Sequence, residues 1–260
     1  VRILITNDDG IRAPGLDVML HIAQELAGEN GEIWTVAPEN EQSGVGHAVS
    51  YVSPMRFFKH TEHRYAVDGT PADCVLAGLN EAMSEKPDLI LSGVNQGNNA
   101  AQNTLYSGTI GAALEGALHG VKSIALSQFY GPDNKDLEDP FEVARVHGAK
   151  AVRDLLDADI WGEAPYGVFY NINFPPIPAA ACKGIKAVAQ GFRDNTDFHT
   201  VSETGPNGRP YLWVTMGSQQ VATKAGTDVH ANLEGYISIT PMRADLTSHA
   251  HLSQLQEALT

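Results

Sequence analysis

Alternation is the feature that most constrains this chain. Over residues 1–175, short β-rich apolar runs take turns with segments whose apolar residues recur at helical spacing. VRILIT (1–6), EIWTVAP (32–38), PDLILSG (87–93), SIALSQF (123–129) and YGVFYNINFP (166–175) read as strands. Their near-continuous apolar character suits strands buried on both faces. PGLDVMLHIAQELAG (14–28), TPADCVLAGLNEAM (70–83), SGTIGAALEGALHG (107–120) and PFEVARVHGAKAVRDLLD (140–157) read as helices. Thr70 is the expected N-cap of the second, with Pro71 at its first helical position. AVSYVS (48–53) and RYAVDG (64–69) read as shorter strands in a connecting excursion. Strands apolar on both faces need a helical layer on each side. The expected fold is therefore α/β: a three-layer α/β/α sandwich around a mainly parallel, Rossmann-like sheet.

Past about residue 176 the pattern changes. Residues 177–234 are rich in Gly, Pro, Asn and Thr, with strand-like KAVAQG and PYLWVTM, and read as a β-hairpin excursion. GYISITP (235–241) reads as a strand returning to the body, and LSQLQEALT as a closing helix. The whole of 1–260 is taken as one domain: an α/β core (1–176), a β-rich excursion (177–234) suited to oligomerisation, and a return segment (235–260).

The balance of charge narrows the partners. The net charge is −14 and no Lys/Arg run occurs, which argues against a nucleic-acid polymer or an anionic membrane. No stretch approaches the length of a membrane-spanning helix and no leader is read at the start. The two cysteines, Cys74 and Cys182, are far apart and in no C-x-x-C, which fits a reducing, cytoplasmic setting.

In open α/β sheets ligands bind beyond the carboxyl ends of the strands. Three polar clusters fall there: TNDDG after the first strand, PENEQSG after the second and SGVNQGNN after the third. Asp8, Asp9, Ser43 and Asn95 can thus meet at one end of one sheet. Neighbours on a regular strand point to opposite faces, so Asp8 and Asp9 converge only where the strand breaks, and Gly10 permits the break. Two carboxylates, a hydroxyl and an amide carbonyl are hard oxygen donors suited to Mg²⁺, Mn²⁺ or Ca²⁺. The competing reading is a turn cap with the carboxylates paired to Arg12. YSGTIGAALEG (106–116) likewise has two readings. Ser107, Gly108 and Thr109 open a helix, which makes either an anion site or an ordinary cap.

Other chemistries lack their residues. There is no G-x-S-x-G, no G-x-x-x-x-G-K-[ST], no G-x-G-x-x-G after the first strand and no H-E-x-x-H. His249 and His251 read as solvated. His47, His199 and His230 have no role fixed by their context. Asp194, Asp197 and Asp228 read as solvating the excursion.

Taken together, ILITNDDG, VAPENEQSG, DGTPADCV, PDLILSGVNQGNN, YSGTIGAALEG and GTDVHANLEGYISITPM resemble the survival protein SurE family of metal-dependent nucleoside monophosphate phosphatases. The resemblance runs in order along essentially the whole chain. It implies a SurE-like fold and a divalent metal, Mg²⁺ or Mn²⁺ with Ca²⁺ as an alternative occupant, held by Asp8, Asp9, Ser43 and Asn95. It implies a phosphate site at Ser107, Gly108 and Thr109 with Asn99 nearby, and an excursion that assembles homodimers or homotetramers. It also draws Asp228 toward the site or a subunit contact. Gln42 stands where many members carry a basic residue, and NNAAQN replaces a more Gly/Asp-rich run; both bear on substrate range. The implied activity is hydrolysis of nucleoside 5′-monophosphates, with 3′-monophosphates and short polyphosphate as further substrates and Asp8 or Asp9 as general base. Two rivals are a phosphoacceptor signalling domain and a non-catalytic nucleotide-binding module. The first needs an aspartate ending the third strand, where this chain has Ser92 and Gly93.

Overall fold

The computed structural model describes residues 1–162, 166–196 and 198–259. Asp197, read above as solvating the excursion, lies outside the described residues. Strand β1 (Arg2–Thr6) sits in the middle of the molecule and pairs in parallel with β2 (Glu32–Pro38) on one side and β5 (Leu89–Gln96) on the other. Parallel pairing continues outward through β6 (Lys122–Gln128) and β7 (Phe169–Phe174), and from β2 to β4 (Arg64–Val67). Two antiparallel strands finish this body: β3 (Phe57–Thr61) on β4, and β11 (Ile237–Met242) on β7. With β8 (Ile185–Ala187) outside β11, nine strands among the described residues run in the order β3-β4-β2-β1-β5-β6-β7-β11-β8.

Side-chain alternation along β1 shows why helices cover both faces. Ile3 and Ile5 join one apolar cluster with Leu16, Met19 and Ile22 of α1 (Pro14–Ala27) and Val143 and Val152 of α4 (Glu142–Ala158). Leu4, between them in sequence, joins the opposite cluster with Cys74 and Val75 of α2 (Pro71–Ala77) and Ala112 of α3 (Gly108–Leu118). Each of these residues is withdrawn from water, and each such aliphatic side chain contributes roughly 1.5–3 kcal/mol. The expected sandwich is therefore present, with α1 and α4 on one face and α2 and α3 on the other.

Local differences from the sequence reading have local causes. Residues 48–53 form no strand; Tyr51 and Val52 are almost fully exposed and have no sheet to join. The strand that does form, β3, is mostly exposed and carries no alternating pattern. The helix begun by Thr70 and Pro71 has the expected cap, with Thr70 Oγ1 accepting from Asp73 N at 3.2 Å, and loosens into a π-helical turn over residues 78–82. Of the excursion, Ile185–Ala187 belongs to the main sheet as β8, and the free-standing hairpin is β9 (His199–Thr204) with β10 (Pro210–Thr215). A short helix, α5 (Asp228–Leu233), precedes β11, and α6 (His249–Leu259) closes the chain.

Candidate active site

Strand β1 stops at Thr6, and the next four residues fold into a clip. Asn7 Nδ2 donates to Gly10 O at 2.8 Å, and Gly10 N donates back to Asn7 Oδ1 at 3.2 Å. Gly10 holds φ +101°, which only glycine adopts without strain, so the strand breaks where the sequence predicts. The clip sends Asp8 and Asp9 into one cavity of about 790 Å³, lined also by Ser43, Asn95, Asn99 and Ser107. The six side chains come from the loops after β1 and β2, the end of β5 and the loop beyond it, and the start of α3.

The carboxylates are fixed by different elements, Asp8 by α3 and Asp9 by β5. Both oxygens of Asp8 accept from Thr109, Oδ1 from the hydroxyl at 2.7 Å and Oδ2 from the backbone N at 3.1 Å. This contact is close because Gly108 has no side chain; a Cβ there would stand 3.0 Å from Asp8 Cβ and 2.9 Å from Pro71 Cγ. Asp9 Oδ2 accepts from Gln96 N at 3.0 Å. Arg12 does not reach the pair: it bonds Glu39 Oε1 at 2.6 Å instead, so the turn-cap reading loses its cation. Among the described residues neither Asp8 nor Asp9 has a salt-bridge partner. Burial pushes the Asp8 carboxyl up from its ordinary range. Burial, with the charges of Asp8 and Glu41 behind it, pushes Asp9 up to about 7.

An uncompensated buried carboxylate pair is costly, and a bound divalent cation removes the cost. The neighbouring donors fit such an ion. Asn95 spends its amide N–H on Gly97 O at 3.0 Å, which leaves its carbonyl oxygen as acceptor. Ser43 Oγ donates to Glu41 Oε1 at 2.6 Å and keeps its lone pairs. Among the described residues no cluster of three or more His, Cys, Asp and Glu is placed to hold a metal. The donors here are oxygens of mixed type, the chemistry of a hard cation and not of zinc.

At the head of α3 the cap and the anion-site readings overlap. Ser107 Oγ accepts from Ile110 N at 3.1 Å and so caps the helix. Its own hydroxyl hydrogen remains to be donated. Thr109, in contrast, spends both its hydroxyl and its N–H on Asp8. Asn99 is held rigidly behind these groups: its N donates to Asn173 Oδ1 at 2.8 Å, its Nδ2 to Ser127 Oγ at 2.9 Å, and its O accepts from Asn171 Nδ2 at 2.7 Å.

Known proteins resemble this chain along its length. The family model described as Survival protein SurE matches residues 3–197. The chain belongs to the SurE family. A relative from Cereibacter sphaeroides (strain KD131 / KCTC 12085) bearing the name 5′-nucleotidase SurE is 57% identical over 257 residues, 98% of both chains. One of the same name from Ruegeria pomeroyi is 55% identical over the full length of both. The crystal structure of the SurE protein from Aquifex aeolicus superposes with a TM-score of 0.79 at 32% identity and covers all of both chains.

Several members of the SurE cavity went unread in the sequence. Glu41 adds a third negative charge beside the pair, and only its place in PENEQSG hinted at it. Asn98, Asn103 and Tyr106 come from the polar run after β5, while Phe198, Met216 and Gln219 reach over from the excursion. Sequence spacing carries no signal for those last three, because they are at least 91 residues from the other cavity residues. The remaining candidates lie off the cavity lining. His47 pairs with Glu115 at 2.5 Å, His199 with Thr215 Oγ1 at 2.9 Å and His230 with Glu234 at 3.6 Å. His249 and His251 are exposed on α6. Asp228 is fully buried and does not solvate the excursion: it accepts from the backbone N of Ala101, Gly191 and Val229, each within 2.9 Å, and anchors the segment that carries Asn98 and Asn103.

Proposed function

We propose that the chain is a metal-dependent phosphomonoesterase that hydrolyses nucleoside 5′-monophosphates, with 3′-monophosphates and short polyphosphate as secondary substrates. The observation that carries this reading is the buried carboxylate pair, which no cation among the described residues pairs, sharing one cavity with the start of α3. The relatives' name, 5′-nucleotidase SurE, supports the substrate class. Asp8, Asp9, Ser43 and Asn95 would hold one Mg²⁺ or Mn²⁺ per subunit, with Ca²⁺ as an alternative occupant. When bound, that ion supplies positive charge at the phosphoryl oxygens and acidifies water.

The protein's own groups divide the remaining work. Asp8, held by Thr109 through one bond on each oxygen, is the fixed ligand and keeps lone pairs for the ion. Asp9 is tied at Oδ2 by Gln96 N, lines the cavity and is the better general base, taking a proton from the attacking water. As the water oxygen bonds to phosphorus, the P–O5′ bond breaks and the leaving alkoxide takes a proton from solvent water; Asp9 returns its own proton to solvent, giving nucleoside and inorganic phosphate. The Ser107 hydroxyl and the Gly108 backbone, at the positive end of α3, and Asn99 would face the phosphoryl oxygens.

We further propose assembly through the hairpin β9–β10, whose Leu212, Trp213 and Val214 are 60–68% exposed, into a homodimer or homotetramer. No helix among the described residues is long and apolar enough to cross a membrane. The free thiols of Cys74 and Cys182 support a cytoplasmic setting. A phosphate-release assay across nucleotides, short polyphosphate and a simple phosphomonoester, with and without Mn²⁺ or Mg²⁺, tests the proposal. Release that needs the metal is expected. Full release in excess chelator overturns the metal role, and nucleotide binding without release converts the protein to a binding module.

A further inference from the structure

The cavity that would receive a phosphate is short of positive charge. Asp8, Asp9, Glu39 and Glu41 line it, and the one cationic lining residue among those described, Arg12, is bonded to Glu39. A second arginine stands behind the wall. Arg193 is fully buried. Its Nη2 donates to Asn98 Oδ1 at 2.5 Å and its Nη1 to Ala100 O at 3.0 Å. Burial lowers its pKa to about 10, which leaves it charged at neutral pH. Among the described residues it has no salt-bridge partner, and the charge of Asp228 acts on it from farther off.

The guanidinium decides which way the Asn98 amide faces. It carries donors only, so the group it meets must be the carbonyl oxygen, and the amide nitrogen points away from it. Asn98 is 8% exposed and lines the cavity, and its Nδ2 bonds to no other described residue. That nitrogen is not sealed from water, unlike Arg193 Nε, which is buried without a partner. Two N–H donors are thus left on the cavity side. A hydrogen bond that starts on a cation polarises the amide and strengthens the donors at its other end. A buried arginine with an unpartnered Nε is costly, so its presence calls for a role.

We infer that Asn98 donates to a phosphoryl oxygen of the substrate and that Arg193 is its positioning residue, aiming the amide and lending it buried charge. The inference rests on the phosphomonoesterase reading and adds a ligand to its phosphate side. It explains how a cavity lined by four carboxylates receives an anion without exposing a cation that those carboxylates would capture, as Glu39 captures Arg12. A neutral amide competes less than a charged side chain would for Asp8 and Asp9. The alternative role of the same bonds is a staple alone. The backbone of Arg193 is tied to the same segment, since Gln102 Oε1 accepts from its N at 2.9 Å and Gln102 Nε2 donates to its O at 2.7 Å.

Steady-state kinetics of the full chain with Mg²⁺ separate the two roles. AMP is the substrate, inorganic phosphate the anionic inhibitor and adenosine the inhibitor without a phosphate. For Asn98→Ala, KM for AMP and the inhibition constant of phosphate are expected to rise about tenfold, the loss of one charge-assisted bond, with adenosine inhibition unchanged. Arg193→Met is expected to weaken phosphate inhibition by a similar factor. The double variant should be no weaker than either single one, because Arg193 acts through Asn98. Unchanged phosphate inhibition in Asn98→Ala, or equal weakening of phosphate and adenosine, would overturn the assignment. Additive effects in the double variant would overturn the positioning role and leave Arg193 a staple. Failure of both Arg193→Met and Arg193→Gln to fold, read by circular dichroism, would do the same. A wild type that releases no phosphate from AMP defeats the phosphatase reading instead; calorimetry of inorganic phosphate with the wild type and Asn98→Ala then still decides whether Asn98 holds the anion.

Discussion

At the residue scale, the two adjacent aspartates make opposite demands on stability and on activity. The Asp9 carboxyl rises in the folded, metal-free protein from its ordinary 3.8 to about 7. A raised acid holds its proton more tightly when folded, so ionising it costs stability. That cost is absent below about pH 4, grows between pH 4 and 7, and is complete above 7. In chelator, Asp9→Asn should thus melt higher than the wild type at pH 8, by the equivalent of about 1–3 kcal/mol, with the gap closing toward pH 4. With Mn²⁺ added the order should reverse, because only the wild type gains a charged ligand. Phosphate release by Asp8→Asn or Asp9→Asn should fall at least about 100-fold. Thermal melts across pH, with and without metal, check the sign; an Asp9→Asn variant less stable than the wild type in chelator at pH 8 contradicts it. Ser107 is the second residue-scale case, since it caps α3 and faces the cavity at once. Ser107→Ala should lose about 1 kcal/mol of stability from the missing cap. It should also lose about one order of magnitude in kcat/KM, with weaker inhibition by inorganic phosphate and unchanged metal affinity. A variant that is destabilised yet fully active would reduce Ser107 to a cap alone.

At the scale of elements, helix α3 ties the site together through its buried far side. Glu115 meets His47 Nε2 at 2.5 Å and His119 Nε2 at 3.0 Å, so the loop that carries Ser43 is latched onto the helix that begins at Gly108. The bond and charge of His47, aided by His119, hold the Glu115 carboxyl below its ordinary value of 4.5 despite burial. A lowered acid contributes stability that is present above that ordinary value and is lost as pH falls through the lower, folded one. Glu115→Gln should therefore cost about 1–2 kcal/mol near pH 6.5, and the cost should shrink below pH 4. Denaturant melts at both pH values measure it; a cost independent of pH would assign the effect to packing. Elements were legible in the sequence where burial and local chemistry agreed. VRILIT, EIWTVAP and the Thr70–Pro71 cap are examples, because two-sided burial and a cap leave their mark within a few residues. The stretch at 48–53 has β-forming residues but no partner strand, so propensity alone misled there. FFKHT, the edge strand, lies in register with RYAV and is mostly solvated, which erases the alternation that would announce it. That Asp8, Asp9, Ser43 and Asn95 would share one cavity was legible because each lies at or soon after the end of a strand of the same parallel sheet. Thr109's tie to Asp8 and the arrival of Phe198 and Met216 at the cavity were not legible, since both depend on which distant segments the fold brings together.

At the scale of the whole molecule, the described chain leaves apolar surface that its own fold does not use. The hairpin β9–β10 stands apart from the nine-stranded sheet as a two-stranded unit, and an isolated hairpin is marginal in water. Leu212 is 68% exposed, Trp213 60% and Val214 67%. Helix α6 buries none of its residues, although Leu252, Leu255 and Leu259 recur at helical spacing along it. Two independent elements with uncovered apolar residues are better explained by a second copy than by chance exposure of single side chains. A net charge of −14 opposes close approach of two copies, so raising the ionic strength should strengthen the association, not weaken it. Light scattering at micromolar concentration should accordingly give a dimer or tetramer whose mass holds or rises with salt. Trp213→Lys puts a charge into the proposed contact without disturbing the sheet core. It should shift the mass toward monomer while the far-ultraviolet circular dichroism stays native. A strictly monomeric wild type at micromolar concentration removes the assembly, and a Trp213→Lys variant of unchanged mass moves the contact away from the hairpin.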